Sequence, residues 1–217
     1  MQSDLDLKND VMAELNWDPV ARSTPVGVIV QDGVVTLTGH PASYAQKYAI
    51  ERAAQRVKGV RALAVEMSVD LPGDLERTDA KIALAAEHAL EWNVLVPDNK
   101  ISVMVENGCI TLSGQVEWQY QRQAAEDSVR HLLGVRSLAN QVVVRPKFTP
   151  ADVEAKIESA LQRQAQREAR NIEILANGSE VTLRGTVRSW AERRAAEGAA
   201  WSAPGVAQVV NNLLVEQ

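Results

Sequence analysis

Apolar residues recur every fourth position at three places in the chain. The sets are Leu7, Val11 and Leu15, then Ile82, Ala86 and Leu90, then Val153, Ile157 and Leu161. That spacing predicts three helices, each with one apolar stripe. After each helix a polar loop leads into a β-rich run: Val28-Ile29-Val30, Ile101 to Val105, or Ile172 to Leu175. A turn and a second β-rich run follow. The clearest copy is Glu106-Asn107-Gly108-Cys109-Ile110-Thr111-Leu112-Ser113-Gly114, matched by Gln31 to Gly39 and Ala176 to Gly185. The Asp-Gly or Asn-Gly pair in each predicts a type I′ hairpin. Further on, Leu63, Val65, Met67 and Val69 alternate as a strand with one buried face should, and Leu138 to Val144 and Val209 to Val215 take the same place. The pattern therefore reads helix, strand, strand, helix, strand, written three times.

The punctuation between these elements supports the same division. Ser3 with Asp6, Ser43 with Gln46, and Ser189 with Glu192 are spaced as capping boxes. Asp79 is placed to cap the first helix of the second unit, and Thr149-Pro150 to open that of the third. Trp118 stands where the other second helices have serine, so that helix must start differently. Gly59, Gly134 and Gly205 suit the left-handed position after a helix, each followed by valine. Ala49, Ala124 and Ala195 align, as do Glu51, Glu126 and Glu197, and the small residues would let the second helix approach its sheet. One extra residue is expected near Ser179, offset by a shorter loop. The units are 1–71, 75–146 and 149–217, joined through Leu71-Pro72-Gly73-Asp74 and Pro146 to Pro150, which proline stiffens.

Composition adds constraints on function. The 217 residues are 46% hydrophobic with a mean hydropathy of -0.18, and no run reaches the length of a membrane helix. The net charge of -5 is spread evenly over the units, which disfavours nucleic-acid binding. Met1 to Lys8 is acidic and polar, without the basic and apolar regions of a leader. The chain is therefore read as cytoplasmic, or periplasmic if a leader was removed before residue 1. Cys109 is the only cysteine and is expected to be a small buried group. His40, His88 and His131 lack ligand spacing, so no metal is assigned, and no nucleophile elbow or phosphate loop occurs. No catalytic residue and no cofactor are assigned.

With these residues assembled, the chain resembles the BON family, the bacterial osmotically inducible and nodulation domain, in three tandem copies. The resemblance rests on Gly33 to Gly39 with Gly59-Val60, on Gly108 to Gly114 with Gly134-Val135 and Asn140, and on Gly178 to Gly185 with Gly205-Val206 and Asn211. The first unit departs from the pattern, with Val65 where the others have asparagine. The resemblance implies an α+β fold: three tandem αββαβ units, each a small three-stranded mixed sheet with two helices packed on one face. It also implies a non-enzymatic binding or scaffold protein of the osmotic or envelope-stress type. Its partners would be anionic phospholipid, a membrane surface, or other envelope and stress proteins. A soluble, cytoplasmic potassium- or osmotic-stress-responsive sensor is the alternative.

Two residue groups are candidates for such contacts. Arg163, Arg167 and Arg170 would form one basic stripe if their helix continues that far, suited to anionic headgroups. Trp118, Tyr120 and Trp190 cluster at the starts of second helices, and Trp17 and Trp92 share a position after the apolar stripe. The alternative reading of the basic stripe is a solvated helix face, and that of the tryptophans is cover for small cores or packing between units.

Overall fold

The computed structural model describes residues 3–147, Ile157 and residues 172–215. The first unit runs α1 (Asp4–Trp17), β1 (Val26–Gln31), β2 (Val34–Gly39), α2 (Tyr44–Arg56) and β3 (Ala62–Met67). The second repeats it as α3 (Asp79–Glu91), β4 (Ile101–Glu106), β5 (Cys109–Val116), α4 (Gln119–Val129) and β6 (Ser137–Val144). The third contributes β7 (Ile172–Asn177), β8 (Glu180–Val187), α5 (Trp190–Trp201) and β9 (Gln208–Val215). Its first helix lies outside the described residues except at Ile157, which is helical and fully buried.

Each unit has its own three-stranded sheet with the middle strand in the centre. The hairpin partner is antiparallel, and the strand after the second helix is parallel. The parallel pairing follows from the helical crossover, which returns the chain to the same end of the sheet. This is the expected α+β architecture of three mixed sheets. The apolar stripes meet the sheets as periodicity requires. Leu7, Val11 and Leu15 are buried with Val35 and Leu37, and Ile82, Ala86 and Leu90 with Ile110 and Leu112.

Several local expectations change. Cys109 is exposed. Ile110 and Leu112 point into the core, so the period-two alternation turns Cys109 to the open face. The aligned alanines do not seat all three second helices: Ala124 is buried in its core, but Ala49 is half-buried and Ala195 exposed. The seated positions lie one residue on, at Ile50, Ala125 and Ala196, and again at Ala54, Val129 and Ala200. In the second and third units the central strand continues two residues past the closing glycine, to Val116 and Val187. That glycine is obligatory nonetheless. A Cβ on Gly114, at φ 138°, would collide with the Lys100 carbonyl oxygen, and one on Gly39 would lie 2.9 Å from the Pro25 carbonyl oxygen.

The third hairpin differs from the other two. Asp32-Gly33 and Asn107-Gly108 have positive φ at both residues, as type I′ requires. In the third copy Asn177 pairs with Glu180, so the turn is Gly178-Ser179 and only Gly178 has positive φ, the II′ pattern. There is no inserted residue. The strand registers of the second and third units superpose throughout, and the Asn-Gly pair has slid by one position. A charged contact explains what the slide removes. Asp79 does not cap its helix through its side chain. Its carboxylate instead accepts hydrogen bonds from the N–H groups of Asn107 (2.8 Å) and Gly108 (2.9 Å). Asp4 grips Asp32 (2.8 Å) and Gly33 (3.1 Å) in the same way. The third unit has Pro150 at that place in the sequence and can offer no carboxylate.

This clamp fixes the angle between the first helix and the hairpin. Asp79→Ala is expected to destabilise the second unit by about 2 kcal/mol, the value of two charge-assisted bonds at a partly exposed site. Urea unfolding checks it, and Asp79→Asn, which keeps one acceptor, should recover part of the loss.

Candidate functional site

No described residues form a group of three or more side chains suited to a metal ion. What the tertiary structure builds instead is a seam between units, made by the second helices. It starts from a hydrogen-bonded lock that holds each second helix to its sheet. In the second unit Asn140 Nδ2 donates to the Arg122 carbonyl (3.1 Å) and to Glu126 (3.2 Å), while Arg122 donates back to the Asn140 carbonyl (3.2 Å). Asn211, Arg193 and Glu197 repeat it in the third unit, with Arg193 to the Asn211 carbonyl at 2.6 Å. In the first unit Val65 replaces the asparagine. Lys47 still reaches the sheet, donating to the Met67 carbonyl at 3.1 Å. Glu51, equivalent to Glu126 and Glu197, is half-buried and has no asparagine amide to meet. Burial raises its pKa above the ordinary 4.5, with Lys47 opposing.

The outer faces of these locked helices meet one another. Tyr44, the first residue of α2, packs against the core of the second unit. Burial, with Glu51 and Glu126 nearby, pushes its phenol up to about 12. Beside it the Arg130 guanidinium lies 3.8 Å from the Tyr48 ring centroid and pairs with Glu126 and Asp127 at 2.7 Å each. Arg130 is only 6% exposed, so this cation–π contact is largely desolvated and strong for its kind. Trp201, the last residue of α5, packs on the core of the second unit and shares a cleft with Arg122. Trp190, the first residue of α5, packs on the core of the first. Tyr44 and Trp190 are equivalent positions, and so are Arg130 and Trp201. The start of one second helix therefore meets another unit, with α2 against the end of α4, α4 beside the end of α5, and α5 against α2.

The candidate residues from the sequence separate accordingly. Arg163, Arg167 and Arg170 lie outside the described residues. Trp118 and Tyr120 are brought together, with ring centroids 6.5 Å apart and planes at 27°. Trp118 is half-buried and Tyr120 exposed. Trp190 does not join them, because it is committed to the seam, with Arg193 5.0 Å from its ring centroid. The most exposed indoles are instead Trp17 (83%) and Trp92 (87%), at equivalent helix ends. Tyr44, Tyr48, Arg130 and Trp201 were missed as contact residues. Nothing in the repeat marks them, since the seam uses whatever side chain each copy carries there.

Two outcomes follow from the seam and its locks. Arg130→Ala removes the stacked cation and both ion pairs. It is expected to cost about 2 kcal/mol and to let the first unit unfold separately, seen as a second step in thermal unfolding. Because the folded state holds the Glu51 proton more tightly than the unfolded chain, stability should fall as pH rises from about 4.5 through the raised value. Glu51→Gln should flatten that slope and leave the protein more stable at pH 7, measured by urea unfolding across pH 4 to 8.

Comparison with known proteins agrees with the repeated unit. The chain is 29% identical over 131 residues to osmotically-inducible protein Y of Escherichia coli (strain K12). That match spans 56% of this chain and 62% of the relative, less than two thirds of its length. Among solved structures, the C-terminal domain of CdsD, titled the structural protein of the type III secretion system of Chlamydia trachomatis, aligns over 99% of this chain and 100% of its own. The identity is 16% and the TM-score 0.27. The PrgH periplasmic domain aligns over 96% and 100%, at 8% identity and a TM-score of 0.23. Likenesses at these scores carry no argument about architecture or role. The BON domain model matches three times, at residues 3–70, 78–146 and 150–217, and the chain belongs to the BON domain family.

Proposed function

We propose that this protein is a non-catalytic binding and scaffold protein of the osmotic or envelope-stress type, whose repeats meet anionic phospholipid or envelope-associated partners. The observation that carries the reading is the threefold BON match together with a relative named for osmotic induction. The surface adds support. Trp17 and Trp92 hold almost fully exposed indoles at equivalent helix ends, with Val20 and Leu95 exposed three residues on. Tryptophan favours a boundary where one edge stays wet, such as the headgroup layer. No described helix is long and apolar enough to cross a membrane, and the proposed contact is peripheral.

Co-sedimentation with vesicles of graded anionic content tests this reading. The expected result is binding at low salt that weakens at high salt, as screened charge requires. Trp92→Ala should reduce it, and so should the triple change of Arg163, Arg167 and Arg170 to alanine. Absence of binding at low salt to any vesicle would remove phospholipid from the proposal.

A further inference from the structure

We infer that the second unit carries a peptide-binding groove, which takes an extended basic segment as an added strand on β4. This inference is independent of the membrane reading. A groove of about 930 Å³ runs between the flank of α3 and the outer edge of β4. Ala83 and Leu84 form the helix wall, Val96 contributes from the loop, and Ile101 and Val103 form the strand wall. Leu84 is 54% exposed, although it belongs to a helix whose other face is buried.

The strand wall is an open ladder. Among the described residues, β4 has β5 on one side and no strand on the other. Its two-residue turn makes Glu106 and Cys109 a hydrogen-bonded pair, and the alternation of an antiparallel ladder then turns the N–H and C=O groups of Val103 and Val105 outward. β4 also lacks the usual protections of an edge, since Ile101–Glu106 contains no proline, no lysine and no bulge. An edge strand facing a helix across a groove is the geometry of recognition by strand addition: the main chain supplies affinity and the groove selects side chains.

Charge identifies the occupant. Glu87, Glu91 and Asp98 line the groove, and among the described residues no basic side chain does. The corresponding positions of the first unit are Met12, Asn16 and Ser23, and its helix wall has Lys8 and Asn9 in place of Ala83 and Leu84. The acidic groove of the second unit is therefore not reproduced in the first, although the two units share a fold. The matching partner is an extended peptide in which apolar side chains alternate with lysine or arginine.

The probe is a fluorescein-labelled octapeptide of alternating lysine and valine, titrated against the full chain by fluorescence anisotropy. A saturable rise is expected. It should weaken about tenfold or more in a Glu87→Lys, Glu91→Lys double variant, because like charges across the groove oppose binding. It should be lost in Val103→Pro, which removes an outward N–H at an edge position where proline is tolerated. Methylating alternate amide nitrogens of the peptide blocks the same ladder on the unmodified protein, so the test survives if Val103→Pro fails to fold. No saturable rise up to roughly 1 mM peptide would overturn the proposal. So would equal binding of the N-methylated peptide or of a glutamate–valine octapeptide, and so would a dimer paired through β4 that excludes the peptide.

Discussion

The structure depends on the small size of its repeating unit. Some 70 residues can bury only a modest core, and that core is thinnest where two helices fail to cover it. The second helices resolve this by lending aromatic side chains across unit boundaries. Tyr44 and Trp201 extend the core of the second unit, and Trp190 extends that of the first. Each such residue removes apolar surface from water on two units at once, at about 25 cal/mol per Å². Three marginal domains thereby gain a shared interior, although their sheets remain separate.

Sharing has a structural cost that the first unit displays. Its second helix presents Tyr44 and Tyr48 to the neighbouring unit, and the stacked Arg130 is drawn out of water between them. Desolvation there raises the phenol of Tyr44, and burial likewise raises Glu51. The second and third units hold the equivalent glutamates with an asparagine amide. The first has Val65 in place of that asparagine, so the unit with two tyrosines on its seam is also the one whose half-buried glutamate meets no such amide. Partial burial of that carboxylate favours its neutral form, which ties the stability of this unit to pH.

The seam also decides which surfaces remain for partners. It consumes Trp190 and Trp201 and leaves an outward side on α1 and α3, where Met12 and Leu84 are exposed. The exposed indoles of Trp17 and Trp92, and the acidic groove along α3 and β4, both lie on this outward side of their units. Equivalent positions in the repeats carry different chemistry there, so the copies share a frame and differ in what they can hold.

The sequence by itself determined the unit. Period-four stripes, period-two strands and glycines at positive φ are local requirements, and a chain that repeats them at fixed offsets repeats the fold. It also marked the Ser3–Asp6 and Ser43–Gln46 starts, which the structure confirms through Ser3 and Ser43 hydroxyls accepting backbone N–H groups. The burial of Cys109 was misjudged because hydrophobic character does not say which face of a strand a residue takes, and only its register beside Ile110 and Leu112 decides that. The third turn departs from its dipeptide because strand pairing outranks local turn preference. Asn177-Gly178 looks like the other two, but no aspartate occupies the clamp position and the strand register sets the turn one residue later. Tertiary structure alone decided the seam. Contacts such as Arg130 on Tyr48 join positions far apart in sequence, and no periodicity within one unit records which neighbour it will meet.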